Sequence, residues 1–225
     1  MNTVNPDSLA LTLDTVNEAY FFQWPLTESQ REQTAEWIAS RQGMRGSYAN
    51  MFAPTENDFK EGVRLFTGER VQSRVGTSHI LGKEACRVLI LLDVADADVG
   101  NALDRASLGM MSRLASTIAI PGMYCCGTCT PALWRHLAAG GLEGAERRLA
   151  AGMRALKSHR DGSGRWRRFP FYYTLLALSE INLPSAVEEM RYASPACERY
   201  LRRPPKIDRI SQRRHLLARR IVEKC

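Results

Sequence analysis

The chain has 225 residues, 44% hydrophobic and 24% charged, enough for one large buried core or two small ones. Its longest apolar run, "FPFYYTLLAL", is about half of the ~20 residues a membrane span needs, so no transmembrane segment is expected. The net charge of +7 sits at one end: residues 199–225 sum to +8 and the rest to −1, which excludes a body built as a whole to grip nucleic acid.

The N-terminal "MNTVNPDSLALTLD" lacks a basic start and a cleavable apolar core, so no signal peptide is expected. Six cysteines without such a signal point to reduced thiols and a cytoplasmic location. Thr27 with Gln30 reads as a capping box opening a helix, just after Pro25. From Gln42 to Thr77 runs a long connection, too long to lack structure of its own. Within it "PTENDFKEGVRLF" predicts a helix capped by Thr55, and "TGERVQSRVGTS" is left as an exposed polar loop.

"HILGKEACRVLILLD" places Leu81, Ala85, Val88 and Leu92 on one helical face. "DVADAD" follows. Its Asp93, Asp96 and Asp98 suit either a Mg²⁺ site or, more simply, the cap where one helix hands over to the next. The next helix carries Leu103, Met110, Leu114 and Ile118 on one stripe, and "LEGAERRLAAGMRALKSHR" carries Leu142, Ala145, Leu149, Met153 and Leu156. Phe169 to Ile181 is apolar nearly all round and belongs deep inside. Ser185 with Glu188 reads as a second capping box. In the tail, Ile207, Ile210, Leu217 and Ile221 form a stripe among arginines, predicting a basic amphipathic helix over 206–225 attached to a domain spanning 1–205. No recognised nucleic-acid motif precedes it. Alternating strand patterns are almost absent, so the fold expected is all-α with about eight to ten helices.

Between the helices, "YCCGTCTPALWRH" concentrates three cysteines and a histidine. Cys126 and Cys129 have the CxxC spacing of half a zinc site or of a redox pair at a helix entrance, with Pro131 opening the helix. His79 and Cys86, seven apart and hence on one face of their helix, would complete a zinc set. The same cysteines would also serve as small core residues. Neither a nucleophile elbow nor a phosphate-binding glycine loop occurs in the sequence.

Two passages answer each other: "SRQGMRGSY" from Ser40 to Tyr48 and "SHRDGSGRW" from Ser158 to Trp166. Each ends a helix, turns through glycines and delivers an aromatic two residues after Gly46 or Gly164. With Arg41, Gln42, Gly46 and Tyr48 in one copy, and Arg160 to Trp166 followed by "FPFYYTLLALSEI" in the other, the chain resembles the α/α-toroid proteins of the prenyltransferase and terpenoid-cyclase superfamily. The resemblance implies helical-hairpin repeats forming a small or partial toroid. It further implies an apolar, isoprenoid-type ligand in a central cavity walled by Tyr48, Trp166, Tyr172 and Tyr173, with Arg165 and Arg168 at its mouth. The Asp-x-Asp-Asp motif that cyclases of that superfamily use for protonation does not occur here. The competing expectation is a non-catalytic interaction module whose basic C-terminal helix meets an acidic partner.

Overall fold

The computed structural model describes residues 2–116, 120–204 and 206–225, and its regular elements among them are all helices. Among the described residues ten helices follow in chain order: α1 (Leu9–Phe22), α2 (Glu28–Ala39), α3 (Glu56–Glu61), α4 (Arg74–Leu92), α5 (Ala97–Ser116), α6 (Thr130–Ala138), α7 (Ala145–Lys157), α8 (Phe171–Glu180), α9 (Pro184–Leu201) and α10 (Arg209–Lys224). Extended pairing among the described residues is limited to three isolated antiparallel bridges. None of the described helices is long and apolar enough to cross a membrane. The chain divides into two compact units. The first holds Met1–Phe66, Arg70–Ile118 and Ala139–Glu143; the second holds Thr67–Glu69, Ala119–Ala138 and Gly144–Cys225.

In the first unit α1 packs on α4, α2 packs on α5 and on α4, and α3 leans on α4. Burial sorts these helices into two kinds. α4 is buried without interruption from Gly76 to Leu89, whereas α2 buries only Thr34, Ala35 and Ile38. α4 is enclosed although its buried span carries His79, Lys83, Glu84 and Arg87, whereas the single buried stripe of α2 lets its other face meet water. The charged members of α4 find partners within the fold; Arg87 donates to the Asn17 side chain of α1 at 2.8 Å.

One carboxylate organises the N-terminal part of this unit. Asp58 of α3, 3% exposed, accepts from the Ser8 hydroxyl at 2.5 Å and from the Leu9 and Ala10 amides at 3.0 and 3.2 Å. Its Oδ2, which takes the Leu9 amide, also accepts from the Thr55 amide at 2.8 Å, closing a capping box on α3. It therefore caps its own helix and the first turn of α1 together.

The second unit is built from the remaining helices. α6 packs on α7 and α8, α7 on α9, α8 on α9, and α10 lies along α9 and α8. α6 is buried from Thr130 to Leu137, while α7 buries only Leu149, Gly152, Met153 and Leu156. Inside this layer Arg135 of α6 makes a two-pronged ion pair with Glu180 of α8, at 2.9 and 3.0 Å.

Each of the two similar passages closes an isolated bridge, at different places: Gln42 with Phe52, beyond Tyr48, and Arg160 with Trp166 itself. Gly46 and Gly164 take φ of 95° and 89°, a region that side chains with a β-carbon avoid. The aromatics then diverge. Trp166 is 3% exposed and its indole donates to Glu189 of α9 at 2.8 Å, whereas Tyr48 stays half-buried. Glu189 also holds Arg160 through two contacts at 3.1 and 2.9 Å. At the tip of the second turn the Ser163 amide, helped by the Ser163 hydroxyl, the Arg165 amide and the Tyr192 hydroxyl, draws the Asp161 carboxyl down to about 2.

Several expectations need correction. α4 begins at Arg74, capped by Ser73, so the polar loop is shorter than "TGERVQSRVGTS" suggests, and the Arg64–Arg70 bridge folds what precedes it. Ser185 is not a cap: Leu183 is, because Pro184 occupies the first helical position, where its fixed φ and missing N–H cost nothing. Ile207 is 95% exposed ahead of the Asp208 cap of α10, so the stripe of that helix rests on Leu217 and Ile221, with Arg213 buried beside them. Asp96 accepts from the Val99 amide at the entrance to α5, the ordinary capping role. Ile118 lies outside the described residues.

Candidate thiolate site

The segment ahead of α6 is fixed at several points. The Trp134 indole donates to the Gly122 carbonyl at 2.7 Å, and the Tyr124 amide donates to the Thr130 hydroxyl at 3.0 Å. That hydroxyl donates in turn to the Cys126 carbonyl at 2.6 Å, which also accepts the Thr130 amide at 3.1 Å. Residues 126–130 are thus wound into one helical turn before α6 proper. Gly127 lies so close to the chain leaving the second glycine turn that a β-carbon there would sit 2.3 Å from the Arg168 carbonyl oxygen. Arg168 itself holds φ of 69°, a strained value for a side-chain-bearing residue that turns this carbonyl inward.

This scaffold gathers three sulfurs. Cys125 and Cys126 lie 3.9 Å apart, Sγ to Sγ, and the Cys125 and Cys129 sulfurs lie within 4.8 Å of each other. Cys125 and Cys126 are exposed, while Cys129 is 3% exposed. Hydrogen bonds from the Cys125 and Cys129 thiols, with the Cys129 and Thr128 amides, hold the Cys126 thiol well below its ordinary range. Elsewhere the trend reverses. Burial pushes Cys86 and Cys197 each up to about 12, so both are protonated core residues at neutral pH.

The residues singled out from the sequence therefore distribute as follows. Cys125, which CxxC spacing does not select, lies beside both members of the Cys126 and Cys129 pair, 3.9 Å from the Cys126 sulfur and within 4.8 Å of the Cys129 sulfur. His79 and Cys86 belong to α4 in the first unit. The His79 ring lies 3.7 Å from that of Tyr48, whose hydroxyl accepts from Arg113. In the second unit Trp166 and Tyr173 are core residues, 3% and 1% exposed. Tyr172 is half-buried under Arg214, which lies 4.5 Å over its ring, and burial pushes its hydroxyl up to about 12. Arg165 lies 4.5 Å over the Phe171 ring, and Arg168 is exposed beside Gly127.

Chemically, three sulfurs at this spacing suit a thiophilic cation. A tetrahedral zinc ion with Zn–S of ~2.3 Å holds its sulfurs about 3.8 Å apart, close to the separation of Cys125 and Cys126. A thiol already inclined to lose its proton lowers the cost of forming such bonds. No family model, curated protein or solved structure matches the chain.

Proposed function

We propose that this protein is an α/α-hairpin repeat protein of the toroid kind whose working part is a thiolate metal site, zinc its most suitable occupant. The observation that carries the metal reading is the convergence of Cys125, Cys126 and Cys129 at the mouth of α6. Three sulfur ligands leave the fourth position of a tetrahedral ion to water or to another side chain, the pattern of a site open to exchange. The toroid reading is supported by the all-helical fold and by consecutive helices that pack on each other, α4 on α5, α6 on α7 and α8 on α9. Within that frame an isoprenoid-type ligand would meet Arg165, Arg168 and Tyr172, which keep accessible surface, more readily than Trp166 or Tyr173.

Metal analysis tests the first reading. Full-length protein purified without chelator is expected to carry one zinc per chain. Cys126→Ser and Cys129→Ser should each weaken binding by more than the roughly 10–100-fold that loss of an outer hydrogen-bond partner costs. Absence of stoichiometric zinc from protein offered excess metal and then desalted refutes it.

A second reading rests on a separate observation. Arg202, Arg203, Lys206 and Arg209 are all exposed where α9 gives way to α10, and Arg219 and Lys224 continue the charge along that helix. We infer an acidic protein segment as the partner of this end. Binding of a glutamate-rich peptide should fall by roughly tenfold between about 50 and 200 mM salt, as exposed charges are screened. Arg202→Glu with Arg203→Glu should abolish it without altering the melting curve; a salt-independent affinity would refute this reading.

A further inference from the structure

We propose that the three-cysteine cluster is also a peroxide-reactive site, with Cys126 the residue attacked first and Cys129 the residue that resolves it into a disulfide. The disulfide stands on the exposure of these cysteines and on the turn formed by residues 126–130; its effect on a bound ion rests on the metal reading above.

The roles follow from access and reach. Cys126 is exposed, so a small oxidant reaches its sulfur, whereas Cys129 is 3% exposed and protected from direct attack. The amide of Thr130 donates to the Cys126 carbonyl, winding 126–130 into a single turn. Residues three apart in such a turn have Cα atoms about 5 Å apart, inside the ~4.4–6.8 Å range of disulfides. The Cys125 sulfur lies 3.9 Å from that of Cys126, but the two residues adjoin in sequence. A bridge between them would close a ring through a single peptide bond, which the trans peptide geometry opposes. The resolving role therefore falls to Cys129.

The chemistry balances with hydrogen peroxide as the oxidant. The Cys126 sulfur attacks one peroxide oxygen, the O–O bond breaks, and the departing hydroxide takes the thiol proton as water, leaving a sulfenic acid. The Cys129 sulfur then attacks the Cys126 sulfur, the S–OH bond breaks, and the hydroxyl leaves with the Cys129 proton as a second water. Two thiols lose two electrons, and one peroxide becomes two waters. Sulfurs joined to each other are poor ligands, so a bound ion leaves as the disulfide forms.

The test treats full-length metal-free protein with about one equivalent of hydrogen peroxide and maps the product by mass spectrometry. The wild-type chain is expected to lose about 2 Da and to yield a Cys126–Cys129 linked peptide. Cys129→Ser should instead trap a sulfenic acid on Cys126, captured by a dimedone adduct. A wild-type product lacking the Cys126–Cys129 bridge, or a bridge that survives in Cys129→Ser by passing to Cys125, overturns the assignment. In zinc-loaded protein the same treatment should release one ion per disulfide to a chromogenic chelator. A bridge that forms in a protein that never takes up zinc upholds this inference while removing the metal reading alone.

Discussion

Replacing Glu189 with alanine is expected to destabilise the second unit by about 3 kcal/mol. Its carboxylate, 1% exposed, is the shared acceptor for the Trp166 indole and for both prongs of Arg160. Breaking a fully buried ion pair costs ~3–5 kcal/mol. Here the Arg160 side chain is 28% exposed, so its charge relaxes partly into water and the pair contributes less than that limit. The indole N–H has no such escape, and an unsatisfied buried donor costs ~1–3 kcal/mol. Glu189→Gln keeps an acceptor of the same shape and should lose only about 1 kcal/mol. Urea denaturation with an unchanged slope would measure the difference. An alanine variant indistinguishable from wild type would show that α9 holds the second glycine turn by packing alone.

Asp58→Ala should cost the first unit nearly as much, about 2–4 kcal/mol. A single helix cap is worth ~0.5–2 kcal/mol, and this one side chain serves the first turns of both α1 and α3. Removing it leaves the Leu9 and Thr55 amides without an acceptor in a region closed to water. Asp58→Asn preserves volume and one oxygen, but its amide group would face donors on three sides, so most of the loss should remain. Thermal denaturation gives the size of the effect. Faster amide exchange at Leu9 and Thr55, with exchange on α5 unchanged, would assign it to the caps.

Neither of those residues stood out in the sequence, for the same physical reason. Asp58 works on Ser8 and Leu9, 50 and 49 positions away, and Glu189 on Trp166 and Arg160, 23 and 29 away. Periodicity reads neighbours along a helix, and such distant partners leave no trace in it. Where local rules suffice, the reading held: Thr27 and Thr55 close capping boxes, and Leu149, Met153 and Leu156 face inward. Where local rules competed, one signal masked another. Ser185 looks like a cap until Pro184 claims the first helical position, and the stripe through Ile207 ignores the Asp208 cap that ends it. The cysteines were legible as a motif through Cys126 and Cys129. The part of Cys125 depended on which way a turn residue points, which the spacing of letters does not encode.

Because α6 is only nine residues long, it has almost no tendency to persist as an isolated segment in water. Its helicity is lent by the layer that encloses it, from Trp134 anchored on Gly122 to Arg135 clasped by Glu180. The sulfur trio at its mouth is thus a group only while that enclosure is intact. On a nascent or unravelled chain the same cysteines are independent solvated thiols, so whatever they capture is captured after assembly, and reagents that count fast-reacting thiols would also follow the molecule as it comes apart.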